Sequence, residues 1–171
     1  MQYFLGGLMK KPIFIQVVAA AFAMLGLSAN LSAENLPKSG IISINAIFKG
    51  DAPIKFNDAY SHYTSTGVTF NETGSGLLHM GKVACAYGNF THKEINKGTG
   101  FCAFEDKDGD SIFVQHAGTG NAKGEVSGAN EIIGGTGKFE GISGSGSYAC
   151  THTDKKSEFP CTEKFDYQLP E

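Results

Sequence analysis

Neither arginine nor tryptophan occurs in the 171 residues, and all 14 basic side chains are lysines. Without guanidinium groups, the bidentate clamps that grip phosphates and carboxylates are excluded. A formal charge of −3 and a pI near 5.9 deny the chain the basic face of a nucleic-acid binder. Helical periodicity is nearly missing: beyond residue 33, every window of a dozen residues has its i, i+3, i+4, i+7 stripe broken by glycine or a β-branched cluster. No uncharged apolar run reaches the ~20 residues of a spanning helix, so the chain is not read as an integral membrane protein. The spacings C-x-x-C, HxH, HExxH, GxSxG and GxGxxG are absent as well. Redox, zinc, hydrolase-elbow and dinucleotide readings therefore have no motif to stand on.

The N-terminus has the layout of an export signal. Lys10 and Lys11 precede a mostly apolar run at residues 13–27, and Ser28-Ala29-Asn30-Leu31-Ser32-Ala33 supplies small residues for cleavage. Residues 1–33 are read as a signal peptide cut after Ala33, and 34–171 as one domain in the periplasm or outside the cell. All 17 acidic residues, and all but three of the 23 glycines, fall after the cut.

So do the four cysteines. An even count in an exported chain implies two disulfides with three connectivities. Cys85–Cys102 with Cys150–Cys161, each closing a local hairpin, is the favoured one. Asp154-Lys155-Lys156-Ser157 lies midway between the second pair. Between the first pair the best turn residues, Asn96-Lys97-Gly98, are off-centre, which calls for a bulge or a long loop.

Short runs rich in β-formers recur between Gly, Asn, Asp and Ser, at 41–48, 60–70, 77–87, 99–105, 111–117, 124–129, 142–152 and 163–169. Eight closely spaced strands predict a meandering sandwich or barrel. Glycine doublets such as Gly118-Thr119-Gly120 are read as strand ends and barrel corners. Asp106-Lys107-Asp108-Gly109-Asp110 fails the EF-hand register, with Ser111 where the loop glycine belongs and Ala117 where the bidentate Glu belongs. It reads as a hairpin turn with at most a weak surface calcium site. The five histidines lie on separate segments, so no metal site and no cofactor is expected.

The segment Gly134-Gly135-Thr136-Gly137-Lys138-Phe139-Glu140-Gly141-Ile142-Ser143-Gly144 resembles the glycine-rich run found late in dirigent proteins and related allene-oxide-cyclase-like barrels. The resemblance implies an eight-stranded antiparallel barrel whose interior takes a hydrophobic small molecule. Dirigent pockets use arginine and aspartate, and this chain has no arginine, so the resemblance carries the fold and no catalytic residue. The expected class is all-β, a single antiparallel eight-stranded barrel, allene-oxide-cyclase-like or lipocalin-like.

Three functions follow from such a barrel. The first is binding of a small hydrophobic or aromatic ligand, since an eight-stranded interior accommodates side chains or one such molecule. A cyclase or isomerase using the same cavity is the second, and a non-catalytic envelope or secreted interaction module the third. With no acid–base pair readable in the motifs, binding is preferred to catalysis. Strand parity then names a site, because residues two apart share a face and bridged cysteines share a side. Cys85 facing inward takes Leu77, His79, Val83 and Tyr87 with it. Cys102 opposite Val114 adds Phe104, Ile112 and His116, and Cys150 with Cys161 adds Tyr148, His152, Glu163, Phe165 and Tyr167. The polar handles of the expected pocket are His79, Tyr87, His116, Tyr148 and Tyr167, with Glu163 read as solvated near a mouth. Parity fixes pairs and not absolute direction; the opposite direction turns these residues to solvent.

Overall fold

A computed structural model of the chain describes residues 36–152 and 157–171. The signal-peptide reading and most of the 154–157 turn lie outside these residues. The strands are β1 (Ser39–Gly50), β2 (Ile54–Lys55), β3 (Tyr60–Asn71), β4 (Gly81–His92), β5 (Ile95–Glu105), β6 (Ser111–Gly120), β7 (Glu125–Gly135), β8 (Ser143–Thr151) and β9 (Glu158–Gln168). Consecutive long strands pair antiparallel from β3 to β9, and β1 pairs with both β9 and β3. The sheet thus closes on itself as an eight-stranded barrel, and the two-residue β2 only borders β3. Among the described residues, closure leaves no long edge strand exposed.

Period-two patterning decides which side of each strand faces in. In β1 the buried residues are Ile42, Ile44, Ala46 and Phe48; in β9 they are Phe159, Cys161, Glu163, Phe165 and Tyr167. Cys85 pairs directly with Cys102 and Cys150 with Cys161, and both pairs are bridged. These bridges are the favoured pairing, and they point inward.

The β4–β5 hairpin differs from expectation. It closes on Lys93 and Glu94, with Lys93 at φ 54°, and its register runs unbroken from Lys82↔Glu105 to His92↔Ile95. The Cys85↔Cys102 alignment sets a tight turn there, so neither a bulge nor a long loop occurs, and Asn96-Lys97-Gly98 belong to β5. Strand β9 also starts five residues earlier than expected and runs through Pro160.

One barrel end is filled. Leu78 from the β3–β4 connection and Phe139 from the 3-10 turn Gly137–Phe139 pack fully buried with Val83, Phe104, Ile112 and Phe165. The β3–β4 connection does not extend β4 back to Leu77, as the run 77–87 suggested. Leu78 and Met80 adopt φ near 58° and 57°, and Thr69 Oγ1 and Asn71 Nδ2 donate to the carbonyls of Leu78 and Leu77. His79 therefore lies on a turn, and strand parity does not reach it.

The glycine-rich run 134–144 builds the same closed end. Gly137 sits at φ 56°, where a Cβ would run into the Asp110 carboxylate. Lys138 follows and drives its ammonium between buried Asp106 and exposed Asp108, at 2.6 Å from Asp108 Oδ2. Asp106 Oδ1 also accepts from the Asp108 and Asp110 amides at 2.8 and 3.2 Å. The acidic turn read as a weak calcium site is thus occupied by a lysine of the same chain.

Candidate functional site

The other end is open. Tyr63 on β3, Tyr87 on β4, His116 on β6 and Tyr148 on β8 point inward there and form a belt of rings. Centroid separations are 5.1 Å for Tyr63–Tyr87, 6.3 Å for Tyr87–His116 and 5.1 Å for His116–Tyr148, the last edge-on. The strands between them contribute glycine at the matching positions. Gly100 on β5 pairs with both Tyr87 and His116, and Gly128 on β7 pairs with Tyr148. A Cβ at Gly118 would stand 2.2 Å from the Tyr148 hydroxyl, so that ring lies directly over β6 backbone. Glycines inside the strands are thus what make room for the aromatic side chains, beyond the corner role expected of them.

Above the belt is a cavity of about 440 Å³, whose wall also includes His152, Phe159 and Cys150. His152 and Phe159 face each other with centroids 4.3 Å apart. Asn89, Asn96, Asn121 and Asp51 also line this space, and among the described residues no lysine does; the Asn121 carboxamide is already bonded to the Glu125 carboxylate and to the Lys123 and Glu125 amides. The wall is therefore more polar than the apolar lining expected from parity.

Below the belt lies a buried polar row. Glu163 is only 3% exposed, and Asn130 Nδ2 donates to its Oε2 at 2.6 Å. Burial pushes the Glu163 carboxyl up to about 8, against the lowering effect of that hydrogen bond. His116 pairs with Asn130 across β6 and β7. Burial pushes its imidazole down to about 4, with the Asn130 carboxamide acting weakly in the other direction. Among the described residues, neither His116 Nε2 nor Asn130 Oδ1 has a hydrogen-bond partner of ordinary geometry. Burial raises Tyr148 to about 12, helped by the nearby Glu163 and Tyr63, and burial likewise raises Tyr87 and Tyr63. At neutral pH the whole row is uncharged. Glu163 is correspondingly not solvated.

Of the five expected handles, Tyr87, His116 and Tyr148 converge on this cavity. Tyr167 belongs to the filled end, where its hydroxyl donates to the Pro37 carbonyl at 3.3 Å. His79 is at that end too, its ring edge-on to Phe70 with centroids 6.3 Å apart. Sequence reasoning omitted Tyr63 and Asn130. Both lie on strand segments with correct parity, Tyr63 two residues before the buried Ser65 and Asn130 two before the buried Ile132, and parity extended along β3 and β7 finds them. The sulfurs of Cys85 and Cys102 lie within 4.8 Å of a His116 nitrogen. Joined to each other, they offer no thiolate to a metal. Compared with protein-family models and with curated protein sequences, the chain matches none.

Proposed function

We propose that the protein binds one small, uncharged, ring-bearing molecule in the open end of its barrel, in an oxidising compartment outside the cytoplasm. The observation that carries this reading is the cavity itself. Its volume falls in the range of small-molecule sites, and aromatic walls with a few convergent polar groups are their usual chemistry. Tyr63, Tyr87 and Tyr148 supply ring faces and hydroxyls, and Asn89 and Asn96 supply further polar groups. An anionic ligand would enter a wall without lysine above a buried carboxyl, so hydroxylated or carbonyl-bearing aromatic compounds fit better than carboxylates or phosphates. Two disulfides support the oxidising compartment. The strand count and the glycine-rich cap support kinship with allene-oxide-cyclase-like barrels. Native mass spectrometry of protein purified from its own host tests the binding: a retained small molecule is expected, and its loss from Tyr87→Ala and Tyr148→Ala variants with unchanged β spectra. Retention by both variants would overturn the assignment.

A second reading, an isomerase with a tyrosine or histidine as proton donor, is favoured by Tyr87, His116 and Tyr148 lining one cavity together; Glu163, buried below the belt, does not line it. A retained molecule recovered chemically unchanged after prolonged incubation speaks for binding alone.

A further inference from the structure

Four buried side-chain atoms lack a hydrogen-bond partner of ordinary geometry among the described residues: Ser65 Oγ, His79 Nδ1, His116 Nε2 and Asn130 Oδ1. Folded chains rarely leave such groups unpaired, so each one asks what satisfies it. Ser65 has the Tyr87 hydroxyl beside it, and His79 belongs to the filled end. The remaining two atoms sit on residues that face each other directly, His116 on β6 and Asn130 on β7.

The chemistry of that pair decides which imidazole nitrogen carries the proton. Asn130 Nδ2 is committed to Glu163 Oε2 at 2.6 Å, which leaves Oδ1, an acceptor, as the free end of the carboxamide. With its proton on Nε2, His116 donates to Oδ1 and both atoms are satisfied at once; a proton on Nδ1 would instead set a nitrogen lone pair against a carbonyl oxygen. The Asn130 carboxamide raises the basicity of His116, as an acceptor of its proton does, although burial outweighs it. Asn130 and Glu163 are buried and line no part of the cavity, whereas His116 does line it. Its second nitrogen, Nδ1, is not sealed in with Nε2. A neutral ring protonated at Nε2 therefore offers the cavity a lone pair at Nδ1, an acceptor and never a donor.

We propose that His116 Nδ1 is the specificity-determining acceptor of the cavity, that Asn130 and Glu163 are its positioning residues, and that the ligand is a ring compound donating an O–H, a phenol or a ring alcohol, in preference to an ether, ester or ketone. This inference rests on the cavity reading and narrows it. The tyrosine hydroxyls of the belt rotate to donate or to accept, so they discriminate little between a hydroxyl and an ether oxygen. A lone pair held by a partner on the far side of the ring has no such freedom. A ligand without the donor covers Nδ1 and leaves it dry and unpaired, the arrangement by which buried polar groups reject close analogues.

The test is equilibrium dialysis of the purified, oxidised protein against 2-naphthol and 2-methoxynaphthalene at neutral pH, two uncharged probes of similar shape that differ in the O–H. Wild type should hold 2-naphthol more tightly, on the order of tenfold. His116→Phe keeps a ring, removes the acceptor and should bring the two probes within about threefold of each other. Glu163→Gln still accepts from the Asn130 amide and should keep the preference, while Glu163→Leu should lose it; a merely structural role for Glu163 would weaken both probes alike. A second readout needs wild type and no ligand. Long-range nitrogen–proton NMR at neutral pH should show His116, assigned by the signals missing from His116→Phe, as the tautomer protonated at Nε2. The opposite tautomer, equal binding of the two probes by wild type, a preference that survives in His116→Phe, or both probes weakened alike by Glu163→Leu would each overturn the proposal. Equal binding leaves the cavity reading standing. No binding of either probe would overturn this inference together with the cavity reading, which native mass spectrometry of the host's own protein tests independently.

Discussion

Glu163 and His116 sit in one buried row and are displaced in opposite directions, and that opposition sets how the fold responds to pH. The Glu163 carboxyl ionises near 4.5 when unfolded and holds its proton to about 8 when folded. Between those values the native state binds the extra proton, so this group's contribution falls as pH rises through the window, by on the order of 5 kcal/mol. His116 stays neutral down to about 4 when folded and takes up its proton near 6.5 when unfolded, so its contribution falls as pH drops from 6.5 to 4. The two slopes oppose each other between about pH 4.5 and 6.5 and leave a net loss from there to pH 8. Urea unfolding of Glu163→Gln should show stability rising with pH up to about 6.5 and level beyond it. A variant that still loses stability between pH 6.5 and 8 would remove Glu163 as the source. At Gly118 the argument is steric: the methyl of Gly118→Ala meets both the Tyr148 hydroxyl and the Ser127 carbonyl of β7, so ring and sheet must both shift, and the variant should lose ligand retention and destabilise the fold by about 3 kcal/mol or more.

At the scale of elements, the filled end is held by the Gly137–Phe139 turn, which delivers Phe139 into the core and Lys138 to Asp106 and Asp108. Burial works against the Lys138 charge, but the two carboxylates hold it protonated. Asp106 is buried, so Lys138→Met leaves a carboxylate without its counter-ion and should destabilise the barrel by about 3 kcal/mol, read as a lower urea midpoint at unchanged slope. Calcium should partly restore the variant, since removing the ammonium frees the acidic turn. The hairpins β4–β5 and β8–β9 are each stapled across directly paired residues, closing separations of 17 and 11 residues. Reduction of both should cost roughly 2–3 kcal/mol apiece, and alkylation of intact oxidised protein should find no free thiol.

Across the whole molecule, the barrel is a packed core at one end and a cavity at the other. Amides at the two ends of a single strand should therefore differ in protection. In β4, hydrogen exchange at Val83 and Cys85 is expected to be much slower than at Asn89 and Thr91, because opening the mouth end exposes few buried apolar contacts. Equal protection along β4 would mean that the mouth is as tightly packed as the base. The barrel is also apolar on its outside from β3 to β6, where Phe70, Phe90, Phe101 and Phe113 are exposed, and polar across β8 and β9.

The strands were legible because their patterning is local: alternation in β1 and β9, and an Asp-Gly turn after β5, act within a few residues. The disulfide partners followed from the same register, since hairpins pair neighbours. The inward direction of Tyr87, His116 and Tyr148 was one of two mirror choices that alternation leaves open. Only closure of β1 onto both β3 and β9 selects between them, by giving the sheet an inside. His79 escaped the local reading because Leu78 turns into the core through a left-handed backbone, a conformation fixed by the cavity it fills. Tyr167 has the right face at the wrong height, since parity assigns a side of the sheet and carries no information about position along the barrel axis. The neutral Glu163 follows for the same reason: a carboxyl beside a turn and a cysteine looks solvated in one dimension. What buries it is the convergence of four strands and the Asn130 amide from β7, 33 residues away in the chain.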